Sequence, residues 1–179
     1  MSRNPELPDD DRQRLKDLWD QCQAKQYVDG DSTVTVYHAT SEENSESILA
    51  SKEFHLPTRQ YAIEEGLKVG AAVYFGVNPQ YCISEAHNSE SNQGKTVVLL
   101  EVKVRLGHCV DLGNYDAGMD ALGRENWEWM TERLSVEEGN RLGFDSICVN
   151  KGSRSQEFAL YKPKEQILSI EAYSNSQFC

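Results

Sequence analysis

His38 closes the run TVTVYH, Tyr74 lies inside GAAVYFG and Glu157 opens EFALY, so an imidazole, a phenol and a carboxylate each occupy an apolar, strand-like setting. Polar side chains at strand ends can converge in a cleft. Taken singly, each has a plainer reading: a core histidine bonded to backbone, a packed strand aromatic, a solvated edge charge. Their weight comes from company, at separations of 36 and 83 positions along the chain. Other chemistries lose their warrant, because the sequence contains no GxxxxGK[ST], no strand-linked GxGxxG, no HExxH and no GxSxG. These are the phosphate-loop, Rossmann, zincin and hydrolase-elbow readings.

The elements that must position these residues follow from periodicity. Thr33–His38 is β-branched and aromatic, hence a strand with His38 at its end, and Thr40 with Glu43 forms a capping box that opens a helix to about Ser51. Gly70–Gly76 is a strand of small residues, followed by Asn78-Pro79 as N-cap and first-turn proline of a helix to about His87. Tyr81, Ser84 and His87 recur every third residue and share one face of that helix. Thr96–Leu106 begins as a continuous apolar run and then alternates, as a central strand does.

Elsewhere, Leu15, Leu18, Trp19 and Cys22 make one stripe of a helix capped by Asp9 or Asp10. Between Asp116 and Glu138, seven acidic residues stand against two basic ones, with Trp127, Met130 and Leu134 at helical spacing, which predicts an acidic amphipathic helix. Phe144–Val149, Glu157–Tyr161 and Gln166–Tyr173 read as three closing strands. The fold class expected is α+β.

Length and composition set the frame. With 179 residues and 39% apolar content, the chain suits one globular domain, expected over 9–179 behind a flexible lead-in at 1–8. A formal charge of −11 repels phosphate backbones and anionic membranes, so non-specific nucleic-acid binding is excluded as a default. No apolar run approaches the roughly 20 residues of a spanning helix, and the first residues lack the apolar core of a signal peptide. The five cysteines, Cys22, Cys82, Cys109, Cys148 and Cys179, form no CxxC pair, which fits reduced thiols and a cytoplasmic or nuclear location, and argues against zinc or disulfide scaffolds.

The ordered motifs YHATS, GAAVYFG and QEFALYKPKEQI resemble the His-Tyr-Glu signature of the poly(ADP-ribose) polymerase and diphtheria-toxin-like ADP-ribosyltransferases, over about Val34 to Tyr173. The resemblance implies split, mostly antiparallel β-sheets with flanking helices and a central cleft for NAD, used as co-substrate without a metal. By similarity, Glu157 is the catalytic carboxylate that steadies an oxocarbenium-like ribose, bonds its 2′-hydroxyl and orients the acceptor. His38 would hold the adenosine-side ribose and Tyr74 would lie along the nicotinamide. Ala39 and Thr40 complete the first motif, although the family has glycine where Ala39 stands. Ser84 and His87 match the spacing of a carboxamide-binding serine and a second stacking ring, with Tyr81 one turn earlier as the substitute for that ring. Lys52, Arg59 and Lys68 fall where the family's donor-side loop runs, and offer local basic charge.

The implied activity is transfer of single ADP-ribose units from NAD to a macromolecular acceptor, a protein first and a nucleic acid second, by a monomer without membrane attachment. Two alternatives remain at this level: a catalytically silent relative that binds a partner, favoured by Ala39 and His87, and an NAD glycohydrolase in which water replaces the acceptor.

Overall fold

Two nine-residue strands, Thr33–Ser41 and Val97–Arg105, pair antiparallel along their whole length, from Thr33↔Arg105 to Ser41↔Val97. Around them the computed structural model describes residues 4–22, 24–27 and 33–173. Cys179 lies outside the described residues, as does the expected lead-in before Asn4. In chain order the first elements are α1 (Asp9–Gln21), β1 (Lys25–Gln26), β2 (Thr33–Ser41), α2 (Glu42–Ser51), α3 (Arg59–Glu65), β3 (Val73–Gly76) and α4 (Pro79–Asn88). The remainder are β4 (Val97–Arg105), β5 (Cys109–Asp111), α5 (Tyr115–Leu122), α6 (Arg124–Glu132), α7 (Val136–Leu142), β6 (Ser146–Val149), β7 (Glu157–Leu160), α8 (Pro163–Gln166) and β8 (Ile167–Ala172).

The strands form one eight-stranded sheet in the order β1-β5-β6-β7-β3-β2-β4-β8, with β5 and β6 parallel and the other neighbours antiparallel. The fold is α+β, with helices flanking a mixed sheet. A near-break divides that sheet: β3 meets β2 through the single pair Tyr37↔Gly76, whereas β3 and β7 share four pairs. Backbone ladders therefore leave a seam between β3 and β2, and that is where a cavity opens.

Both faces of the sheet carry core. Alternation along β7 sends Phe158 and Leu160 into a cluster with Val36, Phe75, Leu100 and Val102, and sends Ala159 into another with Leu15, Trp127, Met130 and Phe144. The stripe foreseen on α1 does pack there: Leu15 and Leu18 are buried, and Trp19 stacks on Phe144 with ring centroids 5.1 Å apart.

Several boundaries differ from the periodicity reading, each for a local reason. Strand β2 continues to Ser41 because β4 supplies partners throughout, so His38 is interior to the strand and pairs with Leu100. Ser41, not Thr40, is then the N-cap of α2, accepting from the Asn44 N–H at 3.3 Å. Helix α1 starts after Pro8 with no side-chain cap, and Asp9 and Asp10 lie in its first turn. Strand β3 begins only at Val73, because Gly70 adopts φ 84° in a turn packed so closely on Leu134 that a Cβ would overlap the Leu134 carbonyl. The acidic helix is three helices, interrupted at Gly123 (φ 81°) and again at Arg133–Ser135. The lead-in is docked from Asn4 onward: Leu7 is buried, and the Asn4 side-chain oxygen accepts from the Arg59 N–H at 2.8 Å.

Candidate functional site

A cavity of about 320 Å³ occupies the seam between β2 and β3. His38, Ala39 and Thr40 line it from β2, Tyr74 from β3 and Glu157 from β7, so three residues far apart in sequence border one space. Register explains the meeting. Glu157 pairs with Gly76 and Ala159 with Tyr74, which places the carboxylate and the phenol on the same face of neighbouring strands. Gly76 has a specific task here, since a Cβ on it would overlap the Cys82 Sγ of α4 and push that helix off the strand.

His38 sits edge-on to Phe54 at 5.2 Å and to Phe75 at 6.0 Å, and burial pushes its pKa below the ordinary histidine value. The imidazole is therefore neutral near pH 7. Its Nδ1 lies 3.4 Å from the Tyr74 carbonyl, which can only accept, so that nitrogen carries the proton and Nε2 is left to accept from a ligand hydroxyl. Thr40 is buried and its Oγ1 accepts from the Asn44 side-chain amide at 3.3 Å.

The Tyr74 hydroxyl donates to the Gly70 carbonyl at 2.7 Å and accepts from the Val69 N–H at 3.1 Å. Burial raises the phenol, and the Glu157 charge raises it further, against the Val69 N–H that favours phenolate. Tyr74 stays protonated at neutral pH. Glu157 is shifted up by burial, pulled down by Lys68, and pushed up again by Glu85. Lys68 Nζ stands 3.3 Å from Glu157 Oε2.

Helix α4 presents a different face from the one expected. Asn78 caps it as foreseen, accepting from the Tyr81 N–H at 3.0 Å, and Pro79 opens it. The residues toward the cavity are Cys82, Glu85 and Ala86, with the C-cap Ser89; Cys82 and Glu85 stand one position round from Tyr81 and Ser84. Burial of Ile83 and Ala86 against the sheet sets this rotation. Ser84 is exposed, His87 is half-buried with its carbonyl accepting from the Gln93 side chain, and neither lines the cavity. The three-residue spacing survives in Cys82 and Glu85, a thiol and a carboxylate instead of a hydroxyl and a ring.

Tyr81 remains beside the site. Burial, Glu85 and Glu157 together push its hydroxyl up to about 12. The Cys82 thiol is pushed up to about 11, by burial first, with Glu157 and Glu85 adding to it against the Gly76 backbone N–H. It is a thiol at neutral pH and no nucleophile.

The basic charge expected near the cavity reduces to Lys68. Lys52 ends α2 in the left-handed conformation, and Arg59 is buried against Glu138 and Ser135 at 3.2 Å. Among the described residues, no three His, Cys, Asp or Glu side chains group to hold a metal ion.

No family model matches the chain, and no curated protein matches it in sequence. Among solved structures, the fold is similar to that in the crystal structure of the M. tuberculosis MbcT–MbcA toxin–antitoxin complex, with a TM-score of 0.51 at 13% identity and 94% of each chain covered. That likeness, at such low identity, is one of fold: an α+β chain in which a mixed sheet and its helices are arranged as they are in part of a toxin–antitoxin complex.

Proposed function

We propose that the protein cleaves NAD at the bond between nicotinamide and ribose and transfers single ADP-ribose units to a macromolecular acceptor. The observation that carries this reading is that His38, Tyr74 and Glu157, from three strands, line one cavity at the seam of the sheet. Its 320 Å³ is small for a ligand site and suits the nicotinamide and its ribose, with the rest of the dinucleotide leaving along the mouth.

In the step itself, the glycosidic C1′–N bond breaks and its electron pair returns to the pyridinium ring, which leaves as neutral nicotinamide. Positive charge then develops on the ribose. Glu157 is the carboxylate that faces it, in a site partly closed to water, where a fixed negative charge is worth more than in solution. The acceptor nucleophile bonds C1′ and releases its proton. Tyr74 offers its ring to the nicotinamide, and neutral His38 offers Nε2 to a ribose hydroxyl.

One observation favours a second reading, in which water replaces the acceptor. Glu85 faces the same cavity as Glu157, and two carboxylates across a sugar are an arrangement suited to hydrolysis. The neighbour of similar fold comes from a toxin–antitoxin complex, and a toxin activity is compatible with that reading.

The test is incubation with NAD labelled in its adenosine half, with and without cell lysate, alongside Glu157→Gln and Tyr74→Ala. Protein-linked label with free nicotinamide supports transfer; free ADP-ribose with no linked label supports hydrolysis. No turnover and no thermal shift with NAD sinks both and leaves a silent binding module.

A further inference from the structure

We propose that Lys68 is a positioning residue: its ammonium, presented by a loop fastened on both sides, holds the Glu157 carboxylate at the cavity wall as an anion. This rests on the reading of Glu157 as the charge that steadies the ribose. It adds a residue that no motif contains.

The loop is built to hold still. Gly66 closes α3 in the left-handed conformation at φ 62°, and the Leu67 N–H donates to the Ala62 carbonyl at 2.9 Å. On the other side of Lys68, the Val69 N–H donates to the Tyr74 hydroxyl at 3.1 Å while the Val69 carbonyl accepts from the Tyr161 hydroxyl. The Tyr74 hydroxyl in turn donates to the Gly70 carbonyl, and the Ala71 N–H donates to the Leu134 carbonyl at 2.8 Å. Val69 is fully buried. Lys68 therefore leaves a rigid backbone directly before Val69, whose N–H bonds the Tyr74 hydroxyl.

The carboxylate needs such a partner. Around Glu157 stand Glu85, Tyr81 and Cys82 from α4, Tyr74 from β3, and neutral His38 from β2. Burial and the Glu85 charge both favour the protonated acid, which could not stabilise a cation. Among the described residues, Lys68 is the one basic partner of Glu157. Stability does not account for the pair, because the Lys68 side chain is 41% exposed and ion pairs at that exposure contribute little to folding. Its effect falls on the ionisation and orientation of the carboxylate.

The experiment compares wild type with Lys68→Met, Lys68→Arg and Glu157→Gln. Two readouts are used: the pH dependence of kcat and KM for NAD cleavage, and the titration of the Glu157 carboxyl carbon by NMR, assigned through Glu157→Gln. Lys68→Met is expected to lower kcat about threefold more at pH 5.5 than at pH 8, with KM little changed, and to move the Glu157 titration to higher pH. Lys68→Arg restores both. A loss of the same size at every pH, an unmoved titration, or a gain in kcat overturns the proposal. If wild type itself does not turn over NAD, the enzymatic reading falls, and the NMR titration alone decides whether Lys68 governs Glu157.

Discussion

Gly76 stands directly across the β3–β7 ladder from Glu157, and the space its missing side chain leaves is filled by the Cys82 Sγ of α4. The catalytic candidate is thus placed by a strand pair, and the helix that faces it is placed by a glycine. Gly76→Ala is expected to displace α4 and to destabilise the fold by about 1–3 kcal/mol, as overpacking does. Thermal unfolding and NAD-induced thermal shifts measure the two effects. Unchanged stability would show that α4 does not need this close approach.

Tyr74 does two things, since it lines the cavity while its hydroxyl fastens the Lys68 loop. Tyr74→Phe keeps the ring and leaves the Val69 N–H and the Gly70 carbonyl without that partner. The expected cost is about 1–3 kcal/mol of stability, read by denaturant titration. A drop in kcat larger than the change in KM should accompany it if the loop positions Lys68. Tyr74→Leu, which removes the ring, should raise KM as well.

Glu157 carries a sign that can be checked against pH. Its pKa is raised in the folded state, with burial as the first cause, so the protonated acid favours folding and that contribution is lost as pH rises through the folded value. Glu157→Gln should therefore raise the melting temperature at pH 7 and lose that advantage as the pH falls toward the ordinary glutamate range. Activity runs the other way: wild-type turnover should climb with pH as the carboxylate forms, and the variant should show none. A variant less stable at pH 7 would mean that Lys68 outweighs burial.

Far from the cavity, buried Arg59 joins α3 to α7 and to the N-terminal segment. Its guanidinium donates to Glu138 and Ser135 at 3.2 Å and to the Pro5 carbonyl. Arg59→Met leaves the Glu138 carboxylate, only 2% exposed, without its closest basic partner. A loss of about 3–5 kcal/mol is expected from denaturant unfolding. Arg59→Met with Glu138→Leu should recover part of it, and NAD cleavage per folded molecule should not change.

Much of this organisation was legible in the chain itself. The apolar run of β4, the stripe of α1 and the Asn78-Pro79 start of α4 are local signals, because each depends on residues within one or two turns or along one strand. The ordered motifs around His38, Tyr74 and Glu157 were also legible, and the three residues border one cavity. What no local pattern could decide is orientation and pairing. The face of α4 turned toward the cavity follows from burying Ile83 and Ala86 on strands elsewhere in the chain, which brings in Cys82 and Glu85 and leaves Ser84 in water. Lys68 meets Glu157 across 89 positions and Arg59 meets Glu138 across 79, contacts that exist only once the sheet has assembled. Local periodicity determines which segments are strands and helices, since it records which side chains each must bury; which charge faces which is settled by the packing of those segments on one another.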